Sequence, residues 1–328
     1  DEISKMFITG PQVVKTVIGE ELTAEELGGA MTHATASGVA HFLYKSEKNC
    51  LGGVRELLSY LPDNNQAPLP VKTGKSVDHC KKLVDMVPDN KKKSYDVHDV
   101  INAMIDKDSF FEVQKHWAQN AVVGFGRMEG NTVGFVCNQA NHKGGSLDID
   151  SSDKIARFIR FCDCFNIPLV SLIDVPAFLP GSEQEHNGII RHGAKILFAY
   201  AEATVPKISL IMRKAYGGAY IAMNSKHMGA DVVYAWPIAE IAVMGAEGAI
   251  NIIGRKQIQA AEDPEAKRAE LVEEYEKKFL NPYIAAKRGF VDEVIRPDET
   301  KAKIVAALDA LKTKQLNRPY KKHGNMPL

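Results

Sequence analysis

Apolar residues alternate between strand-like and helix-like spacing along most of this chain. Thr23-Ala-Glu-Glu26 fits a capping box, in which a threonine hydroxyl and a glutamate three residues later serve each other's main-chain amides. Residues 39–44 predict a strand. Ser46 then opens an amphipathic helix with Leu51, Val54, Leu57, Leu58 and Leu61 on one side. Farther along, residues 121–128 and 132–137 flank Glu129-Gly-Asn131 and predict a hairpin. A helix is expected over about 152–165, a buried strand over 168–174 and a second helix over about 187–203. The β-branched run 205–212 reads as a strand. A glycine turn follows it, then an apolar, helix-compatible stretch beginning at Ile221. Strands are expected at 232–235 and 241–244. The tail from Pro264 reads as charged helix broken by a short strand over 290–295.

Repeated strand–helix units with a hairpin at their start predict an α/β layered domain. The pattern breaks at Pro62, Pro68 and Pro70, and Val87-Pro-Asp-Asn-Lys-Lys-Lys93 adds a charged loop. Residues 71–94 are therefore expected to be a linker between a segment 1–70 and a domain 95–328. Three consecutive lysines on a loop read as solvated charge rather than a phosphate site. Thr73-Gly-Lys-Ser76 imitates a phosphate loop but has Leu69 where the first glycine belongs. The chain opens at Asp1, and Met6-Phe7-Ile8 runs into what reads as mid-domain sequence, so an N-terminal portion is expected to be missing. Phe7-Ile-Thr-Gly-Pro-Gln-Val-Val14 faintly echoes Ala242-Val-Met-Gly-Ala-Glu-Gly-Ala249, as a tandem duplication would leave.

The 328 residues carry 41 basic and 41 acidic side chains, so no global basic field invites nucleic acid. No apolar run reaches membrane-span length. The five cysteines, an odd number without a CxxC pair, read as reduced thiols in cytosol or mitochondrial matrix rather than as a zinc ribbon. No metal is expected.

Chemistry concentrates at Arg213-Lys-Ala-Tyr-Gly-Gly-Ala-Tyr220. A strand, a two-glycine turn and a helix leave the first helical amides unpaired, and Gly217 and Gly218 let a carbonyl approach the backbone. Such a turn suits an oxygen that gains negative charge during reaction. A glycine pair is also a common packing turn; the flanking Arg213, Lys214, Tyr216 and Tyr220 favour the functional reading. Gly28-Gly29 is weaker, since glycine commonly ends helices. Pro176, Ala177 and Phe178 lie in a loop after a strand, where α/β folds bind ligands, although a rigid connector reads as well. Arg191 and His192 read first as a surface arginine and a structural histidine, and His142-Lys-Gly-Gly145 as an ordinary loop. There is no GxSxG elbow and no evident acid–base pair.

At these residues the chain resembles the carboxyltransferase subunits of biotin-dependent acyl-CoA carboxylases and decarboxylases: the propionyl-CoA carboxylase β, transcarboxylase large-subunit and methylmalonyl-CoA decarboxylase α types. The matching pieces span the whole chain: Met6-Phe-Ile-Thr-Gly-Pro11, Glu26-Leu-Gly-Gly29, Leu147-Asp-Ile-Asp-Ser-Ser152, Arg191-His-Gly193, Arg213 to Tyr220, Tyr234-Ala-Trp-Pro237 and His323-Gly-Asn-Met-Pro-Leu328. The resemblance implies the crotonase (ClpP/crotonase-like) fold, a spiral of ββα units, with one complete domain on the biotin side and the C-terminal end of a preceding acyl-CoA-side domain. It implies that Gly218 and Ala219 donate to the biotin ureido oxygen and Gly28 and Gly29 to the thioester oxygen. Gly217, Tyr216, Tyr220, Ile221, Pro176, Ala177, Phe178 and Arg191 would line the biotin and substrate sites. Ile221 stands where propionyl-specific members carry Asp, which leans toward a decarboxylase or an acetyl-tolerant enzyme. Ala177 replaces the family's usual Gly, which bears on how closely biotin approaches and on whether that backbone is left-handed.

The implied cofactor is biotin on a separate carrier, with a coenzyme A thioester as substrate. The implied partners are a biotin carboxyl carrier and a biotin carboxylase subunit, or the membrane subunits of a sodium-pumping decarboxylase. Self-association as a dimer of trimers is implied too, with no nucleic acid, in a cytoplasmic or matrix setting. Two other classes compete: a crotonase-type hydratase or isomerase with Glu240 or Glu247 as base, and a non-catalytic assembly fragment.

Overall fold

The computed structural model describes residues 3–72, 74, 76, 77 and 79–328, so Thr73 and Lys75 of the loop that imitates a phosphate binder lie outside the described residues. Among the described residues, eight strands form one mixed sheet. They are β1 (Phe111–Val113), β2 (Ala121–Met128), β3 (Asn131–Asn138), β4 (Leu169–Val175), β5 (Lys207–Tyr216), β6 (Val232–Ala235), β7 (Glu240–Ala242) and β8 (Glu293–Val294). Their order is β1-β2-β3-β4-β5-β6-β8, with β7 also paired to β5. The first three are antiparallel and every later pairing is parallel.

The hairpin between β2 and β3 forms because Glu129 (φ 51°) and Gly130 (φ 81°) supply the two positive φ values of a tight hairpin turn. The Asp106 carboxylate accepts from both of their amides, at 3.2 and 2.7 Å. Alternate residues of each strand enter two apolar clusters. Val123, Phe125, Ile211 and Ala215 meet the helices Ile149–Cys164 and Ile189–Glu202 on one face. Val122, Phe135, Leu210 and Met212 meet the helix Val97–Met104, Trp236 and Ile304 on the other. Burial on both faces is why these strands read as near-continuous apolar runs.

The capping box at Thr23 and Glu26 forms as expected, as does the helix Glu47–Leu58 capped by Ser46. Its apolar side differs from the expected one. Leu57 and Leu61 pack on the core, while Leu51, Val54 and Leu58 are exposed. Gly53 supplies the close contact instead, because a Cβ there would lie 1.9 Å from the Tyr44 hydroxyl. Residues 39–44 are not a strand. Among the described residues none pairs with them along a ladder; Phe42 packs on the Phe111 ring, and the His41 carbonyl accepts from the Gln114 amide at 2.9 Å. The expected strand 290–295 shrinks to Glu293–Val294.

Residues 71–94 do more than connect. Cys80, Leu83 and Val87 are fully buried in the second cluster, and Tyr60 from the preceding segment is buried in the first. Lys154 is also buried, at 1 % exposure, where its ammonium donates to the carbonyls of Gln114, Trp117, Ala118 and Ala121 at 2.7–3.4 Å. It gathers a loop in which Gln114 and Ala118 adopt positive φ, and burial lowers its pKa to about 8. No helix among the described residues is long and apolar enough to cross a membrane.

Candidate functional site

The register between β4 and β5 slips near the end of both strands. Ile173 faces Ile211 and Val175 faces Ala215, which leaves Asp174 opposite Met212, Arg213 and Lys214. The Asp174 carboxylate fills the gap. It accepts from Arg213 Nε at 3.1 Å and Nη2 at 2.9 Å, and from the Lys214 amide at 3.0 Å. Arg213 Nη1 donates to the carbonyls of Pro88, Asn90 and Lys93 at 3.3, 3.3 and 2.8 Å, and its guanidinium lies over the Tyr95 ring. The loop 88–93 is thereby clasped to β5.

β5 ends at Tyr216 and passes directly into the short helix Gly217–Ala222. The helix begins at the glycines and stops before Met223, where the apolar pattern suggested a start at Ile221. Gly217 has φ 56°, and a Cβ there would lie 2.9 Å from the Val243 carbonyl, so the turn requires glycine. Gly218 is exposed, and a Cβ built on it meets open space. The main-chain amides of Gly218 and Ala219 have no acceptor among the described residues. Ala219 and Tyr220 pack into the core beneath, and Ile221 returns to the surface. The Tyr220 hydroxyl is buried without a hydrogen-bond partner among the described residues, and burial pushes its pKa up to about 12.

Tyr216 turns its ring toward β7. Its hydroxyl donates to Glu240 Oε2 in a short bond, and burial and then that carboxylate push the phenol well above its ordinary range. Lys91 Nζ lies 3.6 Å from Glu240 Oε1 and donates to the Ile238 carbonyl at 2.6 Å. Lys214 pairs with Glu240 in register across β5 and β7. Burial holds its ammonium below the usual lysine range, and it makes no hydrogen bond among the described residues. Neither Lys91 nor Asp174 stands out in the sequence: one belongs to a lysine run that reads as solvated, and the other only marks the end of a strand.

The loop after β4 is tied to Leu147, whose amide donates to the Ala177 carbonyl at 3.0 Å and whose carbonyl accepts from Leu179 at 2.6 Å. Ala177 is not among the residues with positive φ, so its methyl group is unstrained. Phe178 packs on Gly193, where a Cβ would lie 2.9 Å from the ring. Arg191 is occupied elsewhere: Nη1 donates to the Leu328 carbonyl at 2.9 Å.

Gly28 and Gly29 form a different kind of corner. The Gly29 amide donates to the Glu25 carbonyl at 2.8 Å, so it is not the free donor the sequence suggested. Gly28 closes the helix Ala24–Gly28, its carbonyl accepts from the Met6 amide at 2.8 Å, and a Cβ there would lie 2.2 Å from the Met6 carbonyl oxygen. Close packing accounts for both glycines. The Ala30 amide lies on the antiparallel bridge between Lys5 and Gly29, so the first amide at this corner without an acceptor among the described residues is that of Met31, in the first turn of the helix Ala30–Thr35. Glu247 is exposed and faces Arg268 at 3.7 Å. Among the described residues no group of three or more His, Cys, Asp or Glu side chains is placed to hold a metal ion.

A family model described as the carboxyl transferase domain matches residues 1–326. The carboxyltransferase subunit of propionyl-CoA carboxylase from Haloferax mediterranei is 58 % identical over 329 residues, covering 100 % of this chain and 64 % of that protein. The methylmalonyl-CoA decarboxylase α subunit of Propionigenium modestum is 54 % identical, with coverage of 100 % and 64 %. Transcarboxylase 12S, solved as a hexamer with methylmalonyl-coenzyme A and methylmalonic acid bound, superposes with a TM-score of 0.95 at 54 % identity, covering 99 % of this chain and 62 % of that one. The chain thus spans slightly under two thirds of the length of these relatives.

Proposed function

This chain belongs to the carboxyl transferase family and shares the mixed, crotonase-like α/β architecture of transcarboxylase 12S; from that premise we propose that it carries the biotin-side half of a carboxyl-transfer site for short acyl-CoA or malonyl-type CoA. The observation that carries the reading is the pair of unclaimed amides at Gly218 and Ala219, beside open space and held from below by Asp174 and Arg213. Carboxybiotin on a separate carrier would supply CO2 here, and the amides of Gly218 and Ala219 would hold its ureido oxygen and donate to it as negative charge builds there. The bound group would also supply the base for the α-proton of the thioester, whose α-carbon would then take up CO2. The reverse sequence decarboxylates a malonyl-type thioester onto biotin. Loss of one such donor costs roughly 2.7–4 kcal/mol of barrier stabilisation.

The corner at Gly28 and Gly29 is proposed for the thioester oxygen only with its donor moved to the Met31 amide. Tyr220, Ile221 and the Pro176–Ala177–Phe178 loop are proposed to border the biotin and acyl groups, with Ile221 favouring the decarboxylase direction or an acetyl-tolerant site. Residues 1–70 are proposed as the end of an acyl-CoA-side domain. A hexameric assembly is proposed by analogy with transcarboxylase 12S; its arrangement as a dimer of trimers, and a biotin carrier with a carboxylase or membrane partner, are proposed from the family resemblance alone. A hydratase reading is disfavoured, because the phenol of Tyr216 and the ammonium of Lys91 already occupy the Glu240 carboxylate.

The test is Gly218→Val in the full-length protein that carries this sequence, assayed for carboxyl exchange between biotin and methylmalonyl-CoA. Because the Cβ position at Gly218 is open, assembly should survive while exchange falls by about a hundredfold or more. Undiminished exchange would overturn the assignment.

A further inference from the structure

The charged loop 88–93 reaches the glycine turn from two sides. From one side Arg213 Nη1 holds its carbonyls at Pro88, Asn90 and Lys93. From the other, Lys91 leaves the loop, donates to the Ile238 carbonyl at 2.6 Å and stands 3.6 Å from Glu240 Oε1. Glu240 Oε2 accepts the Tyr216 hydroxyl. Tyr216 is the residue from which the helix Gly217–Ala222 starts, and its ring also lies against Gly245, where a Cβ would be 3.5 Å from it. The side chains of Lys91 and Glu240 are 29 % and 14 % exposed, so water screens their attraction only in part.

We propose that Lys91 and Glu240 are positioning residues for the Gly218 turn, acting in series through the Tyr216 hydroxyl; this rests on the carboxyl-transfer reading of that turn. The physical reason is directional. Backbone donors cannot be re-aimed by a rotamer change, so the direction of the Gly218 and Ala219 amides follows the backbone angles at Tyr216 and Gly217. A ring pinned at its hydroxyl end and along its edge fixes the first of these. The Lys91 ammonium keeps the Glu240 carboxylate turned toward Tyr216 and completes a charge-assisted line. Supporting contacts of this kind hold a reacting constellation in the narrow range of geometry that catalysis needs.

A double-mutant cycle in the full-length protein tests the idea, with kcat and KM for carboxyl exchange read separately and the melting midpoint as control. Lys91→Met and Tyr216→Phe should each lower kcat about tenfold, the lower end of what supporting contacts contribute elsewhere, with KM for the acyl-CoA little changed. The double variant should be no slower than the slower single variant, because both changes cut the same line. Lys91→Arg should recover most of the rate. Wild-type kcat in Lys91→Met, or losses that multiply in the double variant, would overturn the proposal. If Lys91→Met fails to fold, the cycle of Glu240→Gln with Tyr216→Phe asks the same question without touching the loop. Gly218→Val run in parallel separates the two claims: wild-type exchange there removes the catalytic reading itself, whereas lost exchange beside multiplying losses removes only the positioning role.

Discussion

The Arg213 guanidinium and the Asp174 carboxylate meet at 2.9 Å with side chains only 2 % and 1 % exposed, inside the register slip just before the glycine turn. One carboxylate thus replaces a stretch of β ladder, and its cationic partner extends on to three carbonyls of the loop 88–93. Removing either charge leaves the other buried and uncompensated. Asp174→Ala should therefore cost about 3–5 kcal/mol of stability, visible as a lower midpoint of urea unfolding. An unchanged midpoint would mean that the pair does not hold the turn.

The two glycines of the turn should respond oppositely to the same methyl group. Gly217→Ala meets a positive φ and the Val243 carbonyl, so a loss of about 1–3 kcal/mol of stability is expected. Gly218→Ala points into open space and should change stability by no more than about 0.5 kcal/mol. Thermal unfolding of both variants measures the contrast.

His98 sits between two carboxylates, 3.0 Å from Glu112 and 2.6 Å from Asp96. The Glu112 hydrogen bond, with Asp96 adding and burial opposing, raises its pKa above the ordinary 6.5. The folded state therefore holds the His98 proton more tightly than the unfolded chain does. This stabilisation is complete below the ordinary 6.5 and is lost as pH rises through the folded value. His98→Gln should unfold more easily than the parent at about pH 5.5 and match it at about pH 9. Parallel urea curves at the two pH values give the answer, and a deficit of equal size at both would contradict it.

Lys154→Met removes the one ammonium shared by four carbonyls of the loop from Gln114 to Ala121. A loss of about 3 kcal/mol is expected, on the scale of buried groups left without a charged partner. Amide hydrogen exchange should speed up locally in that loop. Unaltered protection there would refute the role assigned to the lysine.

The legible parts of the chain were those where local chemistry dictates the backbone. Glu129-Gly130 announced its hairpin because few residue pairs tolerate two positive φ values. The strand β6 and the capping box at Thr23 were equally local. Residues 39–44 mislead because an apolar and aromatic run suits a strand, whereas here residues 40–44 are all partly buried and Phe42 packs on Phe111 without a ladder. The two glycine pairs look alike as letters. Gly28 and Gly29 serve close packing and the Gly29 amide has an acceptor, whereas Gly218 faces open space with its amide unclaimed among the described residues; none of this is written in the letters. In the run Lys91-Lys-Lys93 the solvated reading suits the exposed side chains of Lys92 and Lys93. Lys91 departs from it because Ile238 and Glu240, about 150 residues later, are folded into its reach.

The ammonium of Lys154 does for its loop what an encapsulated alkali ion does for a crown ether, gathering several oxygens around one positive centre. The difference is that this guest is bonded to its host. It cannot be exchanged, diluted away or sequestered, so chelators and changes of electrolyte should leave the fold around Trp117 untouched.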